Sequence, residues 1–525
     1  MFDLKKAFEP IEISSLAKDP RTRIVIIKHP TLQRYGALLD EISVCDELAK
    51  NGIPIIAKLP SLYPEYLGSF SFLSEYHLRF PYIVGEMANG IASAEMVISA
   101  NKCGLLGSFG AAGLIPNKIE SNLNKIISEL GQEKKNWSSN LIYNINEPEI
   151  EKETAELYLR MGIVYVSASA YMNLTPYILR YAFSGISLDS DGNVLRKNRI
   201  LAKLSHPSVA KIFISPPPEE MLRDLVEQRW LTSEEAELAS QVPIAEDITV
   251  EADSGGHTDR RPLTALFPVI KQMAREAEQR YNYKKPIRVG AAGGLGTPSA
   301  LSAAFAMGAD YVLTGSVNES TVEADISPLA KEMLAKADLT DVAMAPAADM
   351  FELGIQLQVL KKGTMFSPRA KKLYEFYQKY STIEELSESE KSFVEKEIFR
   401  EHIDVVWEKT RAFFQSRDPK QIEMAHQNKK YKMALIFRSY LGQSSRWAIM
   451  GDLSRVTDYQ IWCGPAMGSF NEFVKGTFLE KLENRTVKQV AYNLLEGAAV
   501  LTRMQQLRSF GIAMHHTQYK PKPFK

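Results

Sequence analysis

The sequence predicts an α/β protein built on a (β/α)8 TIM barrel, with a small mixed α/β segment before the barrel and a helical region after it. From Pro81 onwards, short apolar runs alternate with helical patterns, and eight such units end near residue 320. Runs that are apolar throughout are typical of parallel strands covered on both faces. Eight β/α units over about 250 residues match a closed barrel, and an open doubly wound sheet is the alternative.

The first region, residues 1–80, is predicted to contain a strand at 22–30, a helix at 35–52 and a second strand at 53–60. Apolar runs of four to eight residues predict the strands, and spaced apolar residues followed by Gly52 predict the helix. We therefore expect a small mixed unit rather than a further part of the barrel.

The barrel is predicted to span residues 81–325, and its eight strands correspond to eight apolar runs. These runs are 81–88, 103–110, 138–145, 162–169, 198–205, 247–254, 287–294 and 310–317. The segment 216–241 interrupts the alternation with two helical patterns and is predicted to be an inserted helical pair. After residue 326 long helical patterns dominate with almost no strand signal, which predicts a helical region at 326–525 that serves a substrate or partner.

Composition excludes several classes of function. The 63 basic residues equal the 63 acidic residues, so bulk attraction to nucleic acid is not expected. No apolar run reaches the roughly 18 residues needed to span a membrane, and the N-terminus lacks the apolar segment of a signal peptide. The three cysteines lie far apart and fit neither a disulfide framework nor a metal site. These features predict a cytoplasmic protein without metal.

Glycines at the seventh strand-to-helix turn indicate a phosphate site. The strand that ends at Ala291 leads into Gly293 and Gly294, and Thr297 and Pro298 then suit the start of a helix. Glycine lets backbone N–H groups approach a phosphate, and the helix N-terminus adds a positive dipole. A tight structural turn is the alternative interpretation of such a loop.

A second small-residue pair, Gly315 and Ser316, follows the eighth strand. The loops after strands seven and eight of a barrel commonly form a phosphate site. The spacing does not follow a dinucleotide fingerprint, because the third glycine would fall on Ser299 and no acidic residue follows the next strand. The sequence therefore predicts a phosphate monoester held by Gly293, Gly294, Gly315 and Ser316.

The motif EADSGGHTD, residues 251–259, places a histidine just beyond the sixth strand. The carboxyl ends of barrel strands are where barrel enzymes place their chemistry. Gly255 and Gly256 allow a flat ligand to lie against the backbone, and His257 can exchange a proton near neutral pH. A structural histidine that hydrogen-bonds its own loop is the alternative.

These motifs, together with GEMANGIASAEMV and GLLGSFGAAGL, resemble the superfamily of flavin-dependent enoyl reductases and nitronate monooxygenases. The motifs ADSGGHTDRRPL, MAPAADMFELG and WCGPAMGSFNEFVKG resemble the PfaD family more narrowly. Members of that family are enoyl reductases that act in trans with polyunsaturated fatty acid synthases and with polyketide synthases that lack integrated acyltransferases. The resemblance extends from about residue 55 to about residue 510.

The resemblance implies FMN at the mouth of the barrel, NADPH as hydride source, and a 2,3-unsaturated acyl thioester carried on an acyl carrier protein. It also implies a homodimer. Lys203 would face the pyrimidine edge of the flavin, His257 or a water would supply a proton, and catalysis would involve both residues. The residues expected to contact the cofactor are Met87, Ala88, Asn89, Asn144, Ser167, Ala168, Ser169, Lys203, Gly255, Gly256, Gly293, Gly294, Gly315 and Ser316.

Two other functions fit the same fold. A nitronate monooxygenase would keep the barrel and the flavin but use oxygen as acceptor. A non-catalytic scaffold subunit of a megasynthase would keep the barrel alone. The long helical C-terminal region argues against the former and the intact glycine loops argue against the latter.

Overall fold

The computed structural model describes residues 4–134, 136–143, 147–515 and 518–525. Its N-terminal region is a three-stranded antiparallel sheet, in which β1 lies between β2 and β3, packed with the helices α1 and α2 and followed by α3. The elements are α1 (Pro10–Ala17), β1 (Ile24–Lys28), β2 (Tyr35–Leu39), α2 (Ile42–Lys50), β3 (Ile55–Leu59) and α3 (Phe70–Tyr76).

One N-terminal prediction is wrong, because residues 35–39 form strand β2 and not the first turn of a helix. Every residue of β2 pairs with β1, from Tyr35 opposite Lys28 to Leu39 opposite Ile24. Gly36 also lies so close to Ala7 that a Cβ would meet its carbonyl oxygen at 2.3 Å. Pairing and close packing, both distant in sequence, override the local helical pattern.

The predicted (β/α)8 barrel is confirmed, since eight parallel strands close on themselves in the order β4-β5-β6-β7-β10-β11-β13-β14. All eight predicted runs supply one strand each. The elements are β4 (Tyr82–Val84), α4 (Ala94–Lys102), β5 (Leu106–Phe109), α5 (Pro116–Leu130), β6 (Ser138–Ile142), α6 (Pro148–Met161), β7 (Tyr165–Ser169), α7 (Pro176–Phe183), β8 (Ser187–Leu188), β9 (Val194–Leu195), β10 (Arg199–Leu204), α8 (Pro207–Phe213), α9 (Glu219–Glu227), α10 (Ser233–Ala239), β11 (Asp247–Glu251), β12 (Gly256–His257), α11 (Leu263–Tyr281), β13 (Arg288–Ala292), α12 (Pro298–Ala306), β14 (Val312–Thr314) and α13 (Ser316–Glu319).

Helix α3 closes the N-terminal end of the barrel. Phe72 stacks on Tyr311 with ring centroids 4.3 Å apart, and the Tyr76 hydroxyl donates to Asp247 at 2.7 Å. Asp247 also accepts two hydrogen bonds from Arg288, at 2.6 and 2.7 Å, and both side chains are buried. Aromatic rings and a buried ion pair fill this end of the barrel. The opposite end, where the carboxyl termini of the strands lie, is open, and we call it the barrel mouth.

The remaining elements follow β14, and the last of them completes the barrel. They are α14 (Pro328–Ala335), β15 (Val342–Pro346), β16 (Gln356–Leu360), α15 (Phe366–Lys379), α16 (Glu388–Phe393), α17 (Ile403–Arg417), α18 (Lys420–Gln427), α19 (Lys429–Met450), α20 (Pro465–Val474) and α21 (Val487–Ser509). Helix α21 packs between α12 and α4, so close to α12 that a Cβ on Gly497 would meet Pro298 at 2.5 Å.

Helix α21 thus takes the place of the eighth outer helix, whereas the sequence prediction ended the barrel at residue 325. The chain between β14 and α21 is an insertion in one β/α unit. The sequence predicted a helical region here, but the insertion also contains strands. β15 and β16 form an antiparallel hairpin, to which β12 adds a third strand. One of the two strands that pair with β16, β12, lies about a hundred residues earlier, which no local pattern reveals.

The insertion, which we call the roof (residues 320–486), is fixed to the barrel mouth at three places. Its strand β16 pairs with β12 after the sixth barrel strand. The backbone N–H of Gly464, just before α20, donates to the Ser316 hydroxyl after the eighth barrel strand at 3.1 Å. Arg417, at the end of α17, forms an ion pair with Glu147 before α6 at 2.6 Å. Across the described residues, every helix is too short or too polar to cross a bilayer.

We expect Asp247→Ala to lower the free energy of unfolding by about 3–5 kcal/mol, because it removes the carboxylate that accepts two hydrogen bonds from the buried Arg288 guanidinium and leaves only Glu75, at 3.9 Å. Urea unfolding followed by circular dichroism measures the change. Lys102→Ala is the matched control, since Lys102 and Glu129 form an exposed pair at 3.7 Å that should contribute little. An unchanged midpoint for Asp247→Ala would contradict the assigned role of this pair.

Candidate active site

A cavity of about 1850 Å³ lies between the barrel mouth and the roof. Its floor comes from the loops that follow the barrel strands, and its upper wall comes from α17, α19 and the β15–β16 hairpin. Small-molecule pockets usually measure about 300–1000 Å³, so this cavity has room for a cofactor and a second, sizeable ligand. Among the residues the structure describes, no three His, Cys, Asp or Glu side chains come together as a metal site.

The two predicted glycine loops lie side by side on the floor of the cavity. Gly293 and Gly294 both have positive φ angles, 89° and 69°, which explains why glycine is required there. A Cβ placed on Gly294 or on Gly315 would meet no atom within 4 Å, so the space in front of both is empty. The Thr297 side chain caps the following helix by accepting from Ala300. This pair of loops forms a cradle of backbone groups suited to a phosphate.

Gly255 and Gly256 have different roles although they are adjacent. A Cβ on Gly255 would lie 2.9 Å from the backbone of Gly464, so Gly255 is required for packing against the segment before α20. Gly256 has a φ of 77° with open space before it.

Burial of the neighbouring Cys463 raises the pKa of its thiol, which does not favour a reactive cysteine.

Lys203 lies at the centre of a buried charged cluster. It points between two carboxylates, with Glu251 at 3.2 Å and Glu86 at 3.5 Å. Burial opposes its positive charge, but the two carboxylates outweigh burial and raise the pKa of Lys203 above its usual range. Lys203 is therefore present as the ammonium.

His257 and Asp349 form a second pair, which joins the barrel to the roof. The His257 Nε2 lies 3.0 Å from the Asp349 carboxylate, and both side chains remain partly exposed to the cavity. Burial lowers the pKa of His257, but the charge and hydrogen bond of Asp349 outweigh it and raise that pKa overall. The pKa of Asp349 is lowered, because the charge of His257 outweighs its own burial. The pair therefore favours imidazolium beside carboxylate.

Most of the predicted contact residues lie on the cavity wall. These are Met87, Ala88, Asn89, Ser169, Lys203, Gly255, Gly256, His257, Gly293, Gly294, Gly315 and Ser316. Ser167 and Ala168 do not line it, because Ala168 is buried and Ser167 donates to Glu86 at 2.8 Å. Asn144 lies outside the described residues.

The sequence interpretation gave no role to Glu86 or Asp349. Glu86 directly precedes Met87, which was predicted to contact the cofactor. An acidic residue at that position is the signal that could have identified Glu86 as part of the site. The pairing of Asp349 with His257 spans 92 residues and has no signature in either segment. Within the motif MAPAADMFELG, Met344 and Met350 line the cavity, and Phe351 is buried in the core of the roof.

Comparison with known proteins establishes the family. A family model described as nitronate monooxygenase matches residues 71–379, which is more than half of the chain. The chain belongs to the nitronate monooxygenase family. A second model, described as the inserted helical domain of acyl-carrier-protein S-malonyltransferase, matches residues 380–459. That range covers α16 to α19, which form much of the roof.

The chain is also similar to proteins of polyketide and fatty acid biosynthesis. It is 44% identical to the polyketide biosynthesis protein PksE of Bacillus subtilis (strain 168), over 84% of this chain and 58% of that protein. It is 44% identical to a polyunsaturated fatty acid synthase component of Thraustochytrium sp. (strain ATCC 26185 / S-3), over 84% of this chain and 30% of that protein. The match therefore spans little more than half of the one relative and less than a third of the other.

A solved structure is similar over its whole length. The enoyl reductase domain of MlnA, from the macrolactin biosynthesis cluster of Bacillus amyloliquefaciens, matches with a TM-score of 0.81 and 38% identity. The alignment covers 85% of this chain and 99% of that one. Because 85% of this chain is aligned, the alignment includes residues of both the barrel and the roof.

We expect Asp349→Asn to lower the pKa of His257, because the substitution removes the charge that raises it. The titration can be followed by NMR of labelled histidine, with the His257 signal assigned from a His257→Gln variant. Asp259→Asn is the control, since Asp259 lines the same cavity but accepts from Ser205 and not from His257. An unchanged His257 titration in Asp349→Asn would show that the pair does not form in solution.

Proposed function

We propose that this protein is an FMN-dependent enoyl reductase that acts in trans on 2,3-unsaturated acyl thioesters of an acyl carrier protein, with NADPH as hydride source. The observation that carries the proposal is the roofed cavity of about 1850 Å³ above the glycine cradle. It is larger than a small substrate requires, and a carried acyl chain beside a cofactor would use the space. The similarity to the MlnA enoyl reductase domain and to synthase components supports the same function.

The residues present fit FMN. The open space before Gly294 and Gly315 is a cradle that a side chain would fill, and a phosphate monoester suits its backbone donors. The buried Lys203 cluster faces the same cavity with polar groups for a ring edge. When bound, the flavin supplies hydride transfer, while the protein supplies placement and electrostatics.

His257 is the residue that we assign to proton transfer. The carboxylate of Asp349 raises the pKa of His257, which favours the protonated imidazole, and exposure to the cavity lets that proton reach a substrate carbon. Asp349 orients the imidazole ring of His257 and stabilises its imidazolium form. Lys203 is held too firmly between two carboxylates to act as a proton donor, so we assign it to the cofactor edge.

A nitronate monooxygenase is the second candidate, because the model of that family matches residues 71–379. The two functions differ in the electron acceptor. We expect anaerobic NADPH to bleach the flavin of the purified protein and an enoyl thioester to restore its absorbance. Restoration by oxygen alone would favour the monooxygenase, and a protein that cannot be loaded with FMN would favour a non-catalytic scaffold.

We expect Gly315→Val to weaken FMN binding by at least tenfold while the protein stays folded, because the side chain would enter empty cradle space and not a packed core. Isothermal titration with FMN measures the affinity. Gly442→Ala is the control, since Gly442 lies inside α19 where a Cβ also meets nothing within 4 Å. Equal FMN affinity in wild type and Gly315→Val would remove the cradle from the cofactor site.

We expect His257→Ala to retain FMN and to lower turnover of an enoyl thioester by about 10²–10⁴-fold, the usual range for loss of a general acid. Stopped-flow absorbance separates the two half-reactions, and only reoxidation by the thioester should slow. Unchanged reoxidation would assign the proton to water instead.

A further inference from the structure

Residues 518–525, which we call the strap, lie against helix α21 and are held by two amide side chains. Asn493 accepts from the backbone N–H of Lys522 at 2.8 Å and donates to the Lys522 carbonyl at 3.0 Å. One turn earlier on the helix, Gln489 accepts from the N–H of Phe524 at 3.0 Å and donates to the Phe524 carbonyl at 2.6 Å. Each amide therefore binds both backbone groups of one strap residue.

The spacing of the two amides matches the spacing of the two strap residues. Asn493 and Gln489 are four residues apart, which is about 6.0 Å along a helix axis. Lys522 and Phe524 are two residues apart, which is about 6.2–6.6 Å in an extended chain. Every second residue of an extended segment can therefore meet one turn of α21.

The strap sequence supplies N–H donors only where the helix accepts them. Successive N–H groups of an extended chain point to opposite sides, so those of residues 521 and 523 would point away from α21. Both residues are proline, which has no N–H and fixes φ at about −65°. Each proline also disfavours a helical conformation in the residue before it. The alternation Pro-Lys-Pro-Phe thus keeps the segment extended and leaves no donor unused at the prolines.

Asn493 is at the centre of the contact and is 0% exposed. An amide side chain can donate two hydrogen bonds and accept two. Besides its two bonds to Lys522, Asn493 accepts from the Tyr519 hydroxyl at 3.0 Å and donates to the Gln489 carbonyl at 2.9 Å. Three of these four bonds go to the strap, so strap residues supply most of the partners that a buried amide needs.

Two aromatic side chains of the strap also contact α21. The Phe524 ring meets the Tyr492 ring edge to face, with centroids 5.7 Å apart. The Tyr519 ring is so close to Gly497 that a Cβ there would meet it at 2.7 Å. Five other strap residues are exposed, namely Gln518, Lys520, Lys522, Pro523 and Lys525. Backbone hydrogen bonds with a few side-chain contacts are the usual way in which proteins bind extended peptides.

We propose that Gln489, Tyr492 and Asn493 form a peptide-binding site on α21, and that the strap is its intramolecular ligand. The site takes an extended segment that has proline at alternate positions and an aromatic residue directly after the second proline. A segment of this chemistry on a partner protein can displace the strap. The three residues lie outside the cavity at the barrel mouth, so this site is separate from the proposed active site.

The test uses the full chain with the strap disabled by Lys522→Pro and Phe524→Pro, which remove the two N–H donors. A fluorescent peptide with the sequence of residues 518–525 and capped ends is titrated, and its anisotropy is measured. We expect the peptide to bind this chain, and to bind wild type at least tenfold more weakly, because a tethered strap competes at an effective concentration of about 1 mM.

Changes in the peptide test the site without altering the protein. A peptide with Lys522→Pro and Phe524→Pro should bind the disabled chain at least tenfold more weakly than the unchanged peptide. Lys520→Ala is the matched control, since Lys520 is exposed, and it should leave the affinity unchanged. Lack of binding by the unchanged peptide, or equal binding by the proline-substituted one, overturns the proposal.

Amide hydrogen exchange in the wild-type chain gives a second readout that does not depend on the disabled chain. We expect the strap amides to exchange slowly, because Lys522 and Phe524 donate to α21. Excess capped peptide should accelerate their exchange, since it displaces the strap. Exchange that the peptide leaves unchanged would show that the strap is a fixed part of the fold and not a ligand.

Discussion

The antiparallel pairing of Gly256–His257 with Leu357–Gln358 is the contact on which the arrangement of the site depends. It joins the sixth loop of the barrel to the roof through backbone hydrogen bonds, and Gln358 adds side-chain bonds to Asp253 and to the Ser254 carbonyl, at 2.9 and 2.8 Å. Asp349 lies in the turn of the same hairpin, so one short sheet fixes both members of the His257–Asp349 pair. The pair would not form on an isolated barrel.

The place of the insertion explains how a roof can be added without disturbing the barrel. Strand β14 ends at the mouth, where chemistry in such barrels is located, and the chain returns only with α21. Everything in between is added on the mouth side. The barrel keeps eight strands and eight outer helices, while the N-terminal end remains filled by α3 and the Asp247–Arg288 pair.

The sequence predicts the barrel well because its strands are apolar throughout and its glycine turns lie at strand ends, and both signals are local. The glycine loops that follow the seventh and eighth strands are predicted for the same reason, and their use as a phosphate site stays a prediction. It fails where a distant partner decides the outcome. Residues 35–39 become a strand because β1 pairs with them, and Asp349 acquires a role only because a hairpin brings it to His257. Helix α21 has an ordinary helical pattern that does not reveal which strand it follows.

The cavity contains two sets of charged side chains, the cluster around Lys203 and the His257–Asp349 pair. The two sets differ in burial, and that difference separates their proposed roles. The side chains of Lys203 and its carboxylates are 4–17% exposed, so water has little access to the cluster, and the carboxylates keep Lys203 charged. The side chains of His257 and Asp349 are 34% and 40% exposed, so water or substrate can exchange the imidazole proton. When His257 gives up its proton, the Asp349 carboxylate loses its cationic partner. Because Asp349 is partly exposed, water solvates that carboxylate and the free-energy cost is small. In the proposed reaction, the more exposed His257–Asp349 pair would move the proton. The buried cluster around Lys203 would meanwhile stay beside the edge of the flavin ring.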